Sequence, residues 1–350
     1  MNKKIYKRFL LSILFFAGIV SLFLLNGCSD EDPIPPQEPE YLVTHEVVLN
    51  RTKAEIDILI ALAGLEELSQ YMEYDITVYT ITYKTDYLGQ EMIASGLVAF
   101  PVTNNAIPIL SFQHGTITRY ADAPTQDLNL HGLLSSVASN GYIFCIPDFI
   151  GFGSSTSVLH PYYHAETTSK SVIDILKAAK ELSEVLNYNY NGDVFLAGYS
   201  EGGYATMTTH KRMEETNPQG FNLVASAPAS GGYDVTGMQN YFFSQETYHE
   251  PYYLAYVALS YMQTYGFNDI LSDIFQEPYA SEIPGHFNGS LSGGEINNEL
   301  TNVMADLVQP DILANINTDS RQVTQIRPKK AGKGDRANAT GYRVRHHRLL

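Results

Sequence analysis

Cysteine is nearly missing from this sequence, with Cys28 and Cys145 the two present. That excludes a disulfide framework as what holds the chain together. Basic residues are scarce over most of the length: residues 28–320 carry 9 Lys/Arg against 37 Asp/Glu, and the formal net charge is −16. Nothing in such a body neutralises phosphates, so nucleic acid is excluded as a partner. What remains, 44% hydrophobic and 17% charged over 350 residues, is the composition of one large globular domain. No internal repeat of fixed period is present.

The two ends break the acidic pattern. Lys3, Lys4, Lys7 and Arg8 precede an apolar run at residues 9–25, the layout of a secretory signal. The run is long enough to resemble a spanning helix. Leu25-Asn26-Gly27-Cys28 decides for the signal, because it resembles the bacterial lipoprotein box in which the cysteine is lipidated and becomes the mature N-terminus. Asn26 departs from the small residue usual at its place, and an uncleaved N-terminal anchor is the alternative. Residues 1–27 are therefore expected to be a lipoprotein signal peptide and Cys28 the lipidation site. Residues 28–41, acidic and rich in proline, read as an extended tether. Acidic residues just after Cys28 resemble the surface-export signal of Bacteroidetes-type lipoproteins. The expected location is outside the cytoplasm, lipid-anchored to a bacterial membrane, at the outer membrane or cell surface.

Strands and helices alternate in the body. Residues 74–83 alternate in β-branched and aromatic side chains, and residues 92–100 form a second strand after a turn at 86–90. The two are expected as an antiparallel pair at a sheet edge. Helical spacing at 53–70 is expected to cover one face. Short apolar runs at 108–112, 142–146, 194–197 and 223–227 suit buried parallel strands. Helical stretches at 128–139, 167–186 and 202–215 separate them, which indicates βαβ units. Residues 234–315 are dense in tyrosine, show helical spacing and read as a helical cap, or as ordinary peripheral helices.

One motif carries the chemistry. The apolar run 194–197 enters Gly198-Tyr199-Ser200-Glu201-Gly202-Gly203 and then a helix-like stretch. Gly-x-Ser-x-Gly between a strand and a helix is a nucleophile elbow: the turn strains the serine backbone, and Gly198 and Gly202 supply the small neighbours it needs. Ser200 is the expected nucleophile. The helix start directs amide dipoles at charge developing beside it. Acyl transfer needs donors for a tetrahedral oxyanion. The backbone N–H of Glu201 is one candidate, and that of Gly115 or Thr116, after the run 108–112, the second. His114 reads as a turn residue whose backbone neighbours, not its imidazole, do the chemistry.

Phe112-Gln113-His114-Gly115-Thr116, Pro147-Asp148-Phe149-Ile150-Gly151-Phe152-Gly153, His160-Pro161-Tyr162 and the Ser200 motif occur in this order. As a set they resemble bacterial α/β-hydrolases related to the secretory lipases, over roughly residues 74–320. The resemblance implies an α/β-hydrolase fold, a mostly parallel sheet with flanking helices and a helical cap, occupying residues 42–320. It also implies hydrolysis of small-molecule or lipid carboxylic esters through a serine acyl-enzyme, with no metal or cofactor. Asp148 and His160 recur in it as loop-shaping residues.

The pattern breaks after Ser200. In this fold an acid and then a histidine should follow on loops after the last strands. The histidines beyond Ser200 are His210, His249, His286, His346 and His347. His210 lies in the helix after the nucleophile and is expected to face away, and His249 and His286 fall in the expected cap. Residues 321–350 carry 9 Lys/Arg against one acid, Asp335, and no run able to form a strand. They read as a solvated basic tail or, the favoured expectation, as a foreign or frame-shifted ending to a family sequence that stops near Asp319. On that reading the last two strands are absent with the triad acid and histidine, and activity is impaired; His346-His347 as the base is the lesser alternative. A serine peptidase on the same scaffold and a non-catalytic surface-binding lipoprotein are the competing functions.

Overall fold

The computed structural model describes residues 38–268 and 270–315, and every element below lies in the compact unit that begins at Glu40. The expected signal peptide, Cys28 and the basic tail lie outside the described residues. Among the described residues no helix is long and apolar enough to cross a membrane.

The first strand, β1 (Leu42–Arg51), leads into helix α1 (Lys53–Leu62) through a capping box made by Thr52 and Glu55. Strands β2 (Ile76–Tyr87) and β3 (Gln90–Pro101) form a hairpin. Its two turn residues, Leu88 and Gly89, both have positive φ, 52° and 84°, and Asp86 Oδ1 accepts the Gly89 N–H at 3.0 Å. That is the geometry whose twist matches the flanking strands.

This hairpin is not at the sheet edge, contrary to the sequence expectation, because β1 pairs antiparallel along the outer side of β2. The reason it escaped notice is physical. Register shifts between Leu42 and Thr44 and between Val47 and Leu49 break the two-residue alternation, leaving Val43 and Val47 exposed.

Strands β4 (Ala106–Gln113), β5 (Ile143–Pro147), β6 (Asn189–Tyr199) and β7 (Asn222–Ala229) run parallel to one another, giving a seven-stranded sheet of order β1-β2-β3-β5-β4-β6-β7. Helix α2 (Leu130–Leu134) lies on the β4–β5 connection and helix α3 (Ala165–Val185) on that from β5 to β6. Helix α4 (Glu201–Thr216) joins β6 to β7. One apolar layer packs Ile175, Leu176 and Ala179 of α3 with Ile81, Val98, Ile109 and Val194 of the sheet. A second packs Ile56 and Ile60 of α1 with Val78, Leu97 and Ile146.

The other edge is unusual. Strand β7 is almost wholly apolar, as a central parallel strand should be, yet Val224 is 48% exposed and no described strand pairs with its outer side.

Residues 235–315 carry helices α5 (Val235–Phe243), α6 (Tyr252–Tyr265), α7 (Ile270–Ile274), α8 (Tyr279–His286), α9 (Gly293–Glu299), α10 (Met304–Leu307) and α11 (Pro310–Asn315). Tyr252, Ala255, Tyr256 and Leu259 line one face of α6 at helical spacing. They bury it with Ile270, Ile274, Ile283 and Leu307, and with Tyr162 and Tyr163 from the loop before α3.

Candidate active site

Ser200 stands half-exposed at the C-terminal end of β6 with φ 59° and ψ −123°, a backbone conformation rare for any residue but glycine. Its N–H donates to the Ala229 carbonyl at 2.9 Å, and its carbonyl accepts from Gly203 and Tyr204 at 2.9 and 3.2 Å. These bonds start α4 directly from the strained residue.

Both flanking glycines sit where a side chain has no room. A Cβ at Gly198 would lie 2.5 Å from Thr206 Oγ1 and closer still to the Gly202 carbonyl. One at Gly202 would lie 2.6 Å from the His114 carbonyl oxygen and closer to that of Gln113. The helix is thus pressed backbone to backbone onto the end of β4. That brings the 113–116 loop beside the serine: a Cβ at Gly115 would stand 3.7 Å from Ser200 Cβ.

The backbone around this pair is tightly specified. The Glu201 N–H heads α4, where first-turn amides have no intrahelical carbonyl. His114 Nδ1 donates to the Gly115 carbonyl at 2.7 Å. Because the peptide is planar and trans, this fixes the direction of the Thr116 N–H on its opposite side. His114 itself is buried, and burial pushes its pKa down to about 4. The ring is neutral at pH 7 and holds the backbone.

Glu201 carries a side chain that sequence reasoning did not connect to anything. It is buried, and Oε1 lies 2.5 Å from His160 Nε2, while His160 Nδ1 donates to the Ile150 carbonyl at 2.7 Å. Phe149, Phe152, Tyr162 and Tyr256 surround the imidazole with ring centroids 5.2–6.1 Å away. Thr116 Oγ1 lies 3.0 Å from the Tyr162 hydroxyl.

The remaining expected residues are elsewhere. Asp148 is fully buried; its carboxylate accepts from Ser95 Oγ at 2.5 Å, Thr125 Oγ1 at 2.7 Å and the Thr125 N–H at 2.9 Å, and burial holds its pKa above the ordinary range. It shapes the 148–155 loop rather than facing Ser200. His210 pairs with Ser226 Oγ at 2.8 Å and Glu214 at 3.2 Å, on the side of α4 that faces β7. His286 Nε2 is buried without a partner in α8. The Ser200 side chain does not cap α4, and among the described residues no three His, Cys, Asp or Glu side chains converge as a metal site. His346 and His347 lie outside the described residues.

Known proteins place this architecture. A family model for secretory lipases matches residues 122–239. The crystal structure of a presumptive hydrolase from Legionella pneumophila superposes with TM-score 0.73 at 32% identity, covering 81% of this chain and 78% of that one. This chain belongs to the α/β-hydrolase family of lipases and esterases. The rice cell wall degrading esterase LipA of Xanthomonas oryzae is similar at 25% identity and TM-score 0.71, covering 82% and 78% of the two chains. Candida antarctica lipase A shares the fold at 13% identity and TM-score 0.53, with 78% and 61% covered. No curated protein matches the chain. Within this family the molecule is a hydrolase of lipase or esterase type.

Proposed function

We propose that the chain hydrolyses carboxylic esters through an acyl-enzyme on Ser200. The single observation that carries this reading is the strained, half-exposed Ser200 set between backbone-packed glycines with the Gly115 loop against it. Strain of this kind costs about 1–3 kcal/mol and persists where the surroundings enforce it.

In the proposed reaction Ser200 Oγ attacks the ester carbonyl carbon and its proton passes to solvent water, which returns one to the leaving alkoxide. The carbonyl becomes a tetrahedral oxyanion facing the Glu201 N–H and that of Gly115 or Thr116. Collapse breaks the bond to the alkoxy oxygen, and the alcohol leaves with a proton. Water then attacks the acyl-serine and releases the carboxylic acid, restoring Ser200.

Oxyanion donors and binding alone leave roughly 10³–10⁴-fold catalysis over water. The substrate is a small-molecule or lipid ester, and the protein acts outside the cytoplasm, held at a membrane through a lipid on Cys28. Purified protein should cleave p-nitrophenyl butyrate above background and lose that activity in Ser200→Ala. Equal rates in both would contradict the reading.

A further inference from the structure

The two sides of the proposed oxyanion hole come from segments far apart in sequence, the 113–116 loop after β4 and the head of α4. Both are tied to one tripeptide, His160-Pro161-Tyr162. His160 Nε2 meets the Glu201 carboxylate at 2.5 Å, and the Tyr162 hydroxyl meets Thr116 Oγ1 at 3.0 Å.

The segment 160–164 that contains the tripeptide is itself anchored on three sides. His164 accepts the Thr167 N–H at 3.4 Å and so caps α3. Tyr204 of α4 donates its hydroxyl to the Tyr163 carbonyl at 2.9 Å. Ser260 of α6 donates to the Tyr162 carbonyl at 3.2 Å. The Tyr162 ring stacks on Tyr256 of α6 with centroids 4.5 Å apart and planes 11° from parallel. Against Gly151, at φ 97°, the loop is so close that a Cβ there would collide with the His160 backbone. A segment held this way can fix whatever it touches.

We propose that His160 and Tyr162 are positioning residues that brace the oxyanion hole, each holding the side chain of a residue whose backbone N–H faces the developing charge. Glu201 and Thr116 thus contribute their amides to the reaction and their side chains to the brace. Such donors act only if they stand ready before charge develops, which is why small displacements are costly. The brace also links α6 and its neighbours to the chemistry without any of them touching the reacting atoms. This inference rests on the ester-hydrolase reading of Ser200.

The test compares the wild-type chain, Tyr162→Phe, Thr116→Ala and the double variant. For each, kcat and KM on p-nitrophenyl butyrate are measured, with the rate of covalent labelling by a fluorophosphonate and the melting temperature. Tyr162→Phe keeps the stacked ring and removes only the hydroxyl. It is expected to lower kcat and the labelling rate about tenfold, with KM and the melting temperature little changed. The double variant should be no worse than either single one, because all three lose the same bond. His160→Gln, which keeps an N–H toward Glu201, should retain more activity than His160→Leu. If Tyr162→Phe turns over and labels within twofold of wild type, the brace is refuted while the ester-hydrolase reading stands. If wild type neither turns over nor labels, that reading falls and the brace falls with it.

Discussion

Placing a methyl group on Gly202 probes the elbow most severely. Its Cβ would stand 2.6 Å from the His114 carbonyl oxygen and closer still to the Gln113 carbonyl, whereas ordinary contact begins near 3.4 Å. Both obstacles are backbone, so no rotamer change relieves them. Helix α4 would have to withdraw from the end of β4 by more than an ångström to clear the Gln113 carbonyl. That withdrawal strains the bond from Thr206 Oγ1 to Gln113 Oε1, now 2.7 Å and buried. Overpacking of a tight interface costs about 1–3 kcal/mol, and a weakened buried hydrogen bond adds about 1. The sum, about 3 kcal/mol, corresponds to a fall of roughly 6–12 °C in melting temperature for a domain of this size. Thermal unfolding followed by circular dichroism measures it. Gly294→Ala is the control: it lies in α9 with nothing within 4 Å of its Cβ position, and it should leave stability unchanged or raise it by up to about 1 kcal/mol. A Gly202→Ala protein melting within about 2 °C of wild type would refute the packing argument.

Three further outcomes follow from the same structure. Ser200→Gly should abolish ester cleavage while raising stability by about 1 kcal/mol, since glycine occupies φ 59° without strain; a lower melting temperature would show that the serine is not strained. Acidification should destabilise the fold through His114: between pH 6.5 and about 4 the unfolded chain takes up a proton that the folded chain refuses, so stability present above pH 6.5 is lost as pH falls. The loss from pH 7 to 5 is on the order of 2 kcal/mol, with His131 and His164 shifted in the same direction by burial and Asp148, raised, acting oppositely; urea titrations of wild type and His114→Gln would isolate it, and equal pH slopes would contradict it. Val224→Lys should change stability by less than about 0.5 kcal/mol, because Val224 is 48% exposed on β7, whose outer side pairs with no described strand; a large loss on thermal unfolding would show that the side chain is covered.

Much of this was legible in the chain because backbone geometry wrote it there. The four parallel strands announced themselves as short apolar runs, although only β5 is buried along its whole length and β7 is exposed or half-buried throughout. The elbow was legible because Gly198 and Gly202 are demanded by backbone contact, not by side-chain preference. Strand β1 was not, since its bulges broke the alternation that marks a strand. Nor was the pairing of Glu201 with His160, whose 41-residue separation no local pattern spans. A glutamate in the first turn of a helix reads as a solvated, dipole-matched charge. Only the loop that returns over the elbow turns it into a buried partner. The Tyr162–Thr116 bond was hidden for the same reason, as both residues suit a strand or a turn and neither announces a partner.

The account turns on Ser200 as a nucleophile. Its most direct test is the mass of the intact protein after incubation with a fluorophosphonate, followed by mapping of the modified peptide. The account predicts a single phosphonyl adduct on the peptide containing Gly198-Tyr199-Ser200-Glu201-Gly202, absent in Ser200→Ala. An unmodified protein after prolonged exposure, or an adduct on another residue that persists in Ser200→Ala, would contradict it.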